Sequence, residues 1–206
     1  MRTIKQPGVR ELEIRRSRFI CALARVGTEQ EAQSFIAGRR RAHREATHNC
    51  TAYVLGEHAD ITRNNDDGEP AGTAGLPMLE VLTRRGLTGV AAVVTRYFGG
   101  IKLGAGGLIR AYGQAVTETI DTVGIVERRP VVTVTVTVGH ERAGRLQRDL
   151  HASPYRPAGT RYGPHAEIDV LVPEPELTAF DAWIAAATGG QADIRRGTRT
   201  LIDMEI

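Results

Sequence analysis

The chain has 206 residues, 41% of them hydrophobic and 25% charged, with 27 Lys and Arg against 24 Asp and Glu, a net charge of +3. This is the composition of an ordinary soluble globular protein with room for one large domain or two small ones, and no apolar stretch is long enough to span a bilayer. Cys21 and Cys50 lack CxxC spacing, which excludes a disulfide framework and a four-cysteine zinc site.

Residues 1–130 carry 19 basic against 14 acidic side chains and residues 131–206 carry 8 against 10, so the positive bias lies in the first part and fits a phosphate-rich partner. Only Lys5 and Lys102 among the basic residues are lysine. Met1–Gly8 lacks the apolar core of a signal peptide, so the expected location is the cytoplasm.

Ser17–Ala24 reads as an opening strand. Thr28-Glu29-Gln30-Glu31 is a capping box that starts a helix with Ala32, Phe35 and Ile36 inward. That helix ends in the basic run Arg39–Arg44, read as complementing the carbonyl end of the dipole, with a basic face towards RNA as the other reading. A strand follows with Cys50, Ala52 and Val54 on one face. His43, His48 and Cys50 match no metal-ligand spacing, and no metal or cofactor is implied.

Asp66-Asp67-Gly68-Glu69-Pro70 is a turn, and Thr73 and Pro77 lie near the start of a helix with Leu76, Leu79 and Leu82 on its apolar face. Asp66, Asp67 and Glu69 form a possible acidic loop, able to hold Mg²⁺ or act as acid and base, or else to cap the turn and the helix start. Val90–Thr95 reads as a buried strand and Leu108, Ala111, Tyr112, Ala115 and Val116 as one buried helix face. Between them, six of the chain's 23 glycines fall within Arg96–Gly113. The run fits neither the P-loop nor the dinucleotide fingerprint, since Lys102 precedes its glycine and residue 109 is Ile. Two readings stay open: a tight strand-to-helix corner, or an anion site made by Arg96, Gly99, Gly100, Lys102, Gly104, Gly106, Gly107 and Arg110.

Glu127–Pro130 reads as a linker. Val131–Val138 alternates Val and Thr as a half-buried strand. His140–Leu150 has helical spacing, 154–165 is a turn region, and Ala166–Val172 alternates again. Pro173–Ala187 is a helix with Leu177, Phe180, Trp183 and Ile184 inward, stopped by Gly189-Gly190, and Arg199–Ile206 is a last strand. With a short strand from the turn region this is the ferredoxin-like pattern.

Arg96–Tyr112, with its run Tyr97-Phe98-Gly99-Gly100-Ile101-Lys102-Leu103-Gly104-Ala105-Gly106-Gly107, closely resembles the hallmark of the IMPACT/YigZ family. Asp66–Gly75, Ser17-Arg18-Phe19-Ile20 and His48-Asn49-Cys50 before Ala52-Tyr53 resemble that family's other motifs, in the right order. The resemblance implies an α+β protein in the bacterial two-domain form. Residues 1–126 would be an α/β domain akin to one in ribosomal proteins and elongation factor G, a mixed sheet with helices on one face. Residues 131–206 would be a small ferredoxin-like domain akin to another elongation factor G domain. It further implies a role linked to translation regulation.

The expectation is a non-enzymatic protein binding RNA, the ribosome or a translation-associated partner. In it Arg96, Lys102 and Arg110 meet phosphate, and Tyr97, Phe98 and Tyr112 are the aromatics available for stacking. The alternative is a metal-dependent enzyme acting through Asp66, Asp67 and Glu69 on a phosphorylated small molecule held at the glycine loop. A third reading is a protein–protein regulator without affinity for nucleic acid.

Overall fold

The structure is a computed structural model that describes residues 1–205, and of Arg156 only the backbone; Ile206, with which the expected last strand closes, lies outside the described residues. Among the described residues the chain is α+β, with five α-helices and two sheets. It forms two compact units, Met1–Arg128 with the residues from Asp203 onward, and Arg129–Ile202.

The first unit opens with a short strand, β1 (Arg2–Ile4), which pairs with the start of β7 (Ile125–Val138). Its main sheet contains β2 (Gly8–Ile14), β3 (Ser17–Arg25), β4 (His48–Leu55), β5 (Ile61–Asn65) and β6 (Val90–Tyr97), in the order β2-β3-β6-β4-β5. The continuous apolar run of β6 is buried on both faces because it is the central strand. Side chains on β4 alternate. Cys50, Ala52 and Val54 face α2 (Gly75–Arg84) and α3 (Ala105–Val123), whereas Tyr53 and Leu55 pack with Phe35 and Ile36 of α1 (Glu29–Ala42).

Two details differ from the expected mixed sheet with helices on one face. β3 and β4 run parallel, but β6 is inserted between them, so every hydrogen-bonded pair is antiparallel. The helix joining β3 to β4 also covers the face opposite α2 and α3. The β2–β3 hairpin is a further addition. Its turn is Arg15-Arg16, both at positive φ, 47° and 62°, so a primed turn is built without the glycine or asparagine that normally signals one.

The α1 start forms at the expected cap: Glu31 N–H donates to Thr28 Oγ1 at 3.1 Å, while the Glu31 carboxylate reaches one residue past the cap and accepts from Gly27 N at 2.7 Å. The α3 face also matches, with Leu108, Ala111, Tyr112, Ala115 and Val116 all buried. The α2 face matches only in part: Leu82 is buried and Leu79 packs half-buried against the core. Met78 and Val81 are buried too, whereas Leu76 is 45% exposed. A Cβ on Gly75 would sit 2.7 Å from Asn65 N, so the helix start is pinned against β5 and its phase turns Leu76 outward.

In the second unit β7 continues beside β9 (Ala166–Pro173), which pairs with β8 (Arg156–Tyr162), and β10 (Asp193–Glu205) pairs with β7. The Val–Thr alternation places Val132, Val134, Val136 and Val138 inward. They pack with Ile168, Val170 and Val172, with Leu146 and Leu150 of α4 (His140–His151), and with Phe180 and Ile184 of α5 (Leu177–Thr188). Gly189 ends α5 at φ 62°. Glu127–Pro130 is strand within β7 rather than irregular chain, and the division between the two units falls inside it, between Arg128 and Arg129.

Candidate anion site at one end of the first sheet

The sheet register brings the scattered motifs to one place. Arg18 lies opposite Tyr97 and His48 opposite Arg96, so the starts of β3 and β4 and the end of β6 share one end of the sheet. The 98–104 loop, the start of α3 and the turn before α2 adjoin the same end.

The three carboxylates of the acidic turn have different surroundings. Asp66 Oδ1 accepts from Ala74 N at 3.1 Å and Gly75 N at 2.8 Å, and Oδ2 from Gly72 N at 2.8 Å. Burial pushes this carboxyl up, and the three N–H groups together outweigh it and hold it below the usual range. Asp67 Oδ2 accepts from Asn49 N at 2.7 Å and Oδ1 from Arg40 at 3.0 Å. Both residues are thus engaged in fixing backbone, Asp66 at the start of α2 and Asp67 at the start of β4.

Glu69 differs: it is only 8% exposed and reaches inward. Its Oε1 accepts from Arg96 Nη1 at 2.7 Å and from the Tyr112 hydroxyl at 2.8 Å. Arg96, 5% exposed, lies with its Cζ 5.4 Å from the ring centroids of both Phe19 and Phe98. Stacking on two rings keeps a guanidinium favourable away from water. Cys50 Sγ is 3.3 Å from the Tyr112 oxygen and 3.0 Å from the Asp66 carbonyl oxygen, and burial pushes its thiol up to about 12. It is an inert buried thiol, not a nucleophile. His48 Nδ1 is 2.8 Å from the Asp67 carbonyl oxygen. A carbonyl only accepts, so Nδ1 carries the proton and Nε2 faces Glu69 Oε1 at 3.9 Å.

The glycine loop wraps this cluster. Gly99 packs against the β2–β3 turn: a Cβ there would lie 1.9 Å from the Arg16 carbonyl oxygen, and its N–H donates to Ser17 Oγ at 3.2 Å. Gly104 has φ 70° and is the N-cap of α3, a helix with no side-chain cap and no acidic residue in its first turn. Gly106 and Gly107 form that first turn, Gly100 lies in the loop, and Arg110 is exposed one turn further along α3. A cavity of about 460 Å³ opens beside the helix start, lined by Glu69, Arg96, Phe98, Lys102, Gly104 and Ala105 together with Thr47, His48, Pro70, Leu103 and Leu108. Of the eight residues read from sequence as an anion site, Arg96, Lys102 and Gly104 line it. Gly99, Gly100, Gly106, Gly107 and Arg110 do not. His48, which matches no metal-ligand spacing, and Ser17 were not among the site residues read from sequence. Both lie in stretches that carry the family resemblance, which was the available signal.

Fold and site together define a two-unit α+β protein whose first unit carries, at one sheet end, a buried Arg–Glu pair beneath an uncapped helix start. The Impact N-terminal domain model matches residues 15–120, and a model described as Domain of unknown function (DUF1949) matches residues 136–191. A Bacillus subtilis (strain 168) protein, IMPACT family member YvyE, is 47% identical over 204 residues, covering 99% of this chain and 94% of its own. IMPACT family member YigZ of Escherichia coli (strain K12) is 33% identical over 195 residues, covering 94% and 92%. A crystal structure of a hypothetical protein aligns with a TM-score of 0.62 at 32% identity over 94% of this chain and 95% of that one. The chain belongs to the IMPACT family.

Proposed function

We propose that this protein is a non-enzymatic RNA-binding protein with a role linked to translation regulation, and that it grips phosphate at the start of α3. One observation carries the reading: Lys102 and the uncapped α3 start line the same cavity as a half-exposed aromatic ring, Phe98. Free N–H groups and the positive end of the helix dipole favour an anion, a lysine adds charge, and an aromatic ring accepts any base. Exposed cations extend the surface, with Arg15 and Arg16 in the hairpin turn, Arg41 in the last turn of α1 and Arg44 after it at the same sheet end, and Arg110 on α3. We read residues 1–126 as the binding domain and 131–206, with its β-α-β-β-α-β order, as a ferredoxin-like second domain. The cytoplasm is the proposed location; no described helix is long and apolar enough to cross a membrane.

The enzyme reading has less support, because Asp66 and Asp67 hold backbone N–H groups and only Glu69 lines the cavity. The test is fluorescence anisotropy of a short single-stranded RNA with the wild type and Lys102→Glu/Arg110→Glu, both checked for folding by circular dichroism. The expected result is wild-type binding that weakens with salt and is lost in the double variant. Equal inertness of both at low salt overturns the reading.

A further inference from the structure

We infer that the cavity takes a terminal phosphomonoester on a nucleoside, either a free mononucleotide or the phosphorylated end of an RNA, with the phosphate at the α3 start and the base against Phe98. The inference rests on the RNA reading and narrows it from any phosphate along a strand to its end.

Three observations carry it. The first is an unmet hydrogen-bond donor on a charged group. Arg96 is more than nine-tenths buried and lines the cavity, yet its Nε–H has no hydrogen-bond partner. Its Nη1 and Nη2 are engaged by Glu69 and Ser17, so the orphan is one specific donor. Buried donors are nearly always paired, and an exception beside a cavity marks where a ligand atom belongs. Glu69 balances the guanidinium charge through Nη1, but its Oε1 is held there and by the Tyr112 hydroxyl, so the Nε donor is left without an acceptor.

The second observation is the cover. Phe98 is 47% exposed, and its ring lies 5.4 Å over the same guanidinium. Its backbone N–H is anchored to Thr47 Oγ1 at 3.1 Å, so the ring can turn about a fixed backbone. A base at the rim offers the ring a second flat partner, and a ring turned towards it opens the guanidinium on that side to a phosphate oxygen, with Phe19 still packed against it.

The third is shape. Glu69, Arg96 and Leu108 at the floor are buried, while Phe98, Lys102, Gly104 and Ala105 are exposed. At about 460 Å³ the space has the size of a small-molecule site. An internal phosphate is tethered to sugar on both sides and so stays near the rim, whereas a terminal one is tethered on one side and can reach the buried floor. A terminal phosphate ends at the floor, and its extra charge suits Lys102, the helix start and the Arg96 orphan together.

The experiment compares two short single-stranded RNAs of one sequence, with a 5′-phosphate and with a 5′-hydroxyl, by anisotropy on the full chain. AMP and adenosine serve as competitors, and AMP binding is also measured by calorimetry. Phe98→Ala, Phe98→Trp and Lys102→Glu are run alongside after circular dichroism confirms their fold. The phosphorylated RNA should bind about tenfold tighter or better, the worth of a charged hydrogen bond. AMP should displace it and adenosine should not. Lys102→Glu should lose the preference, Phe98→Ala should weaken binding of both RNAs while keeping the preference, and Phe98→Trp should keep both affinity and preference. Equal binding of both RNAs without competition by AMP overturns the inference and leaves the RNA reading standing. Binding of AMP with neither RNA bound upholds the inference for a free nucleotide and overturns the RNA reading. Inertness towards all of them overturns both.

Discussion

Glu69 and Arg96 are 27 residues apart in sequence and 2.7 Å apart in the structure. Each is buried, so removing one leaves the other's charge without compensation, a loss on the order of 3–5 kcal/mol. Glu69→Gln should therefore lower the urea midpoint far more than Asp67→Asn, whose partner Arg40 stands in solvent; equal effects would count against a buried pair. Two neighbouring glycines make a second contrast. Gly99→Ala places a methyl group 1.9 Å from the Arg16 carbonyl oxygen, so the hairpin must move, at a cost of about 1–3 kcal/mol or more. Gly100→Ala meets no atom within 4 Å and carries only the strain of φ 84°, about 1–2 kcal/mol. Denaturant titrations should rank Gly99→Ala as the more damaging. The sequence displayed the density of glycines and the acidic triplet. It did not show which carboxylate is buried, because that depends on a partner delivered by another strand.

At the scale of elements, α2 depends on Asp66. The folded carboxyl is held below its usual range, so its stabilisation is complete above the ordinary carboxylate value near pH 4 and is lost as pH falls through the lower folded value. Asp66→Asn should cost about 1 kcal/mol at neutral pH, the worth of a cap, with the gap to wild type closing as the solution is acidified below about pH 4. A gap of equal size at both pH values would remove the charge from the explanation. The β2–β3 hairpin works the other way: Arg16 at φ 62° is strained, and Arg16→Gly should raise stability by about 1 kcal/mol in thermal melts. Helix periods and caps were legible, as α1 and α3 show, because a 3.6-residue stripe is a local pattern. β2 was not, since its side chains are mostly exposed and its turn carries no glycine. The outward turn of Leu76 was missed because packing against β5, not composition, fixes the start of α2.

For the molecule as a whole, binding through phosphate is a matter of counterions. Removing one cation that neutralises a phosphate should reduce the slope of log affinity against log salt by about 0.7 for a single strand. Lys102→Ala should flatten the slope by that amount, and Arg41→Ala by less, since only Lys102 lines the cavity. Slopes measured by anisotropy across a salt series decide this, and an unchanged slope in Lys102→Ala would place the phosphate elsewhere. The positive bias of residues 1–130 was visible in the sequence, whereas the gathering of Arg18 and Arg96 at one sheet end follows from the register that sets His48 opposite Arg96 and Arg18 opposite Tyr97.

The sequence by itself determined the family, the α+β class and the faces of α3 and β9, since motif order and hydrophobic period are properties of neighbours along the chain. Only the tertiary structure decided that β6 lies between two parallel strands, that Asp66 and Asp67 hold backbone while Glu69 goes inward, and that Arg96 is a buried partner rather than a surface cation. Those outcomes depend on strand order and register, and a pairing that brings residue 96 against residues 17, 48 and 69 arises from packing between distant segments, which no local pattern encodes.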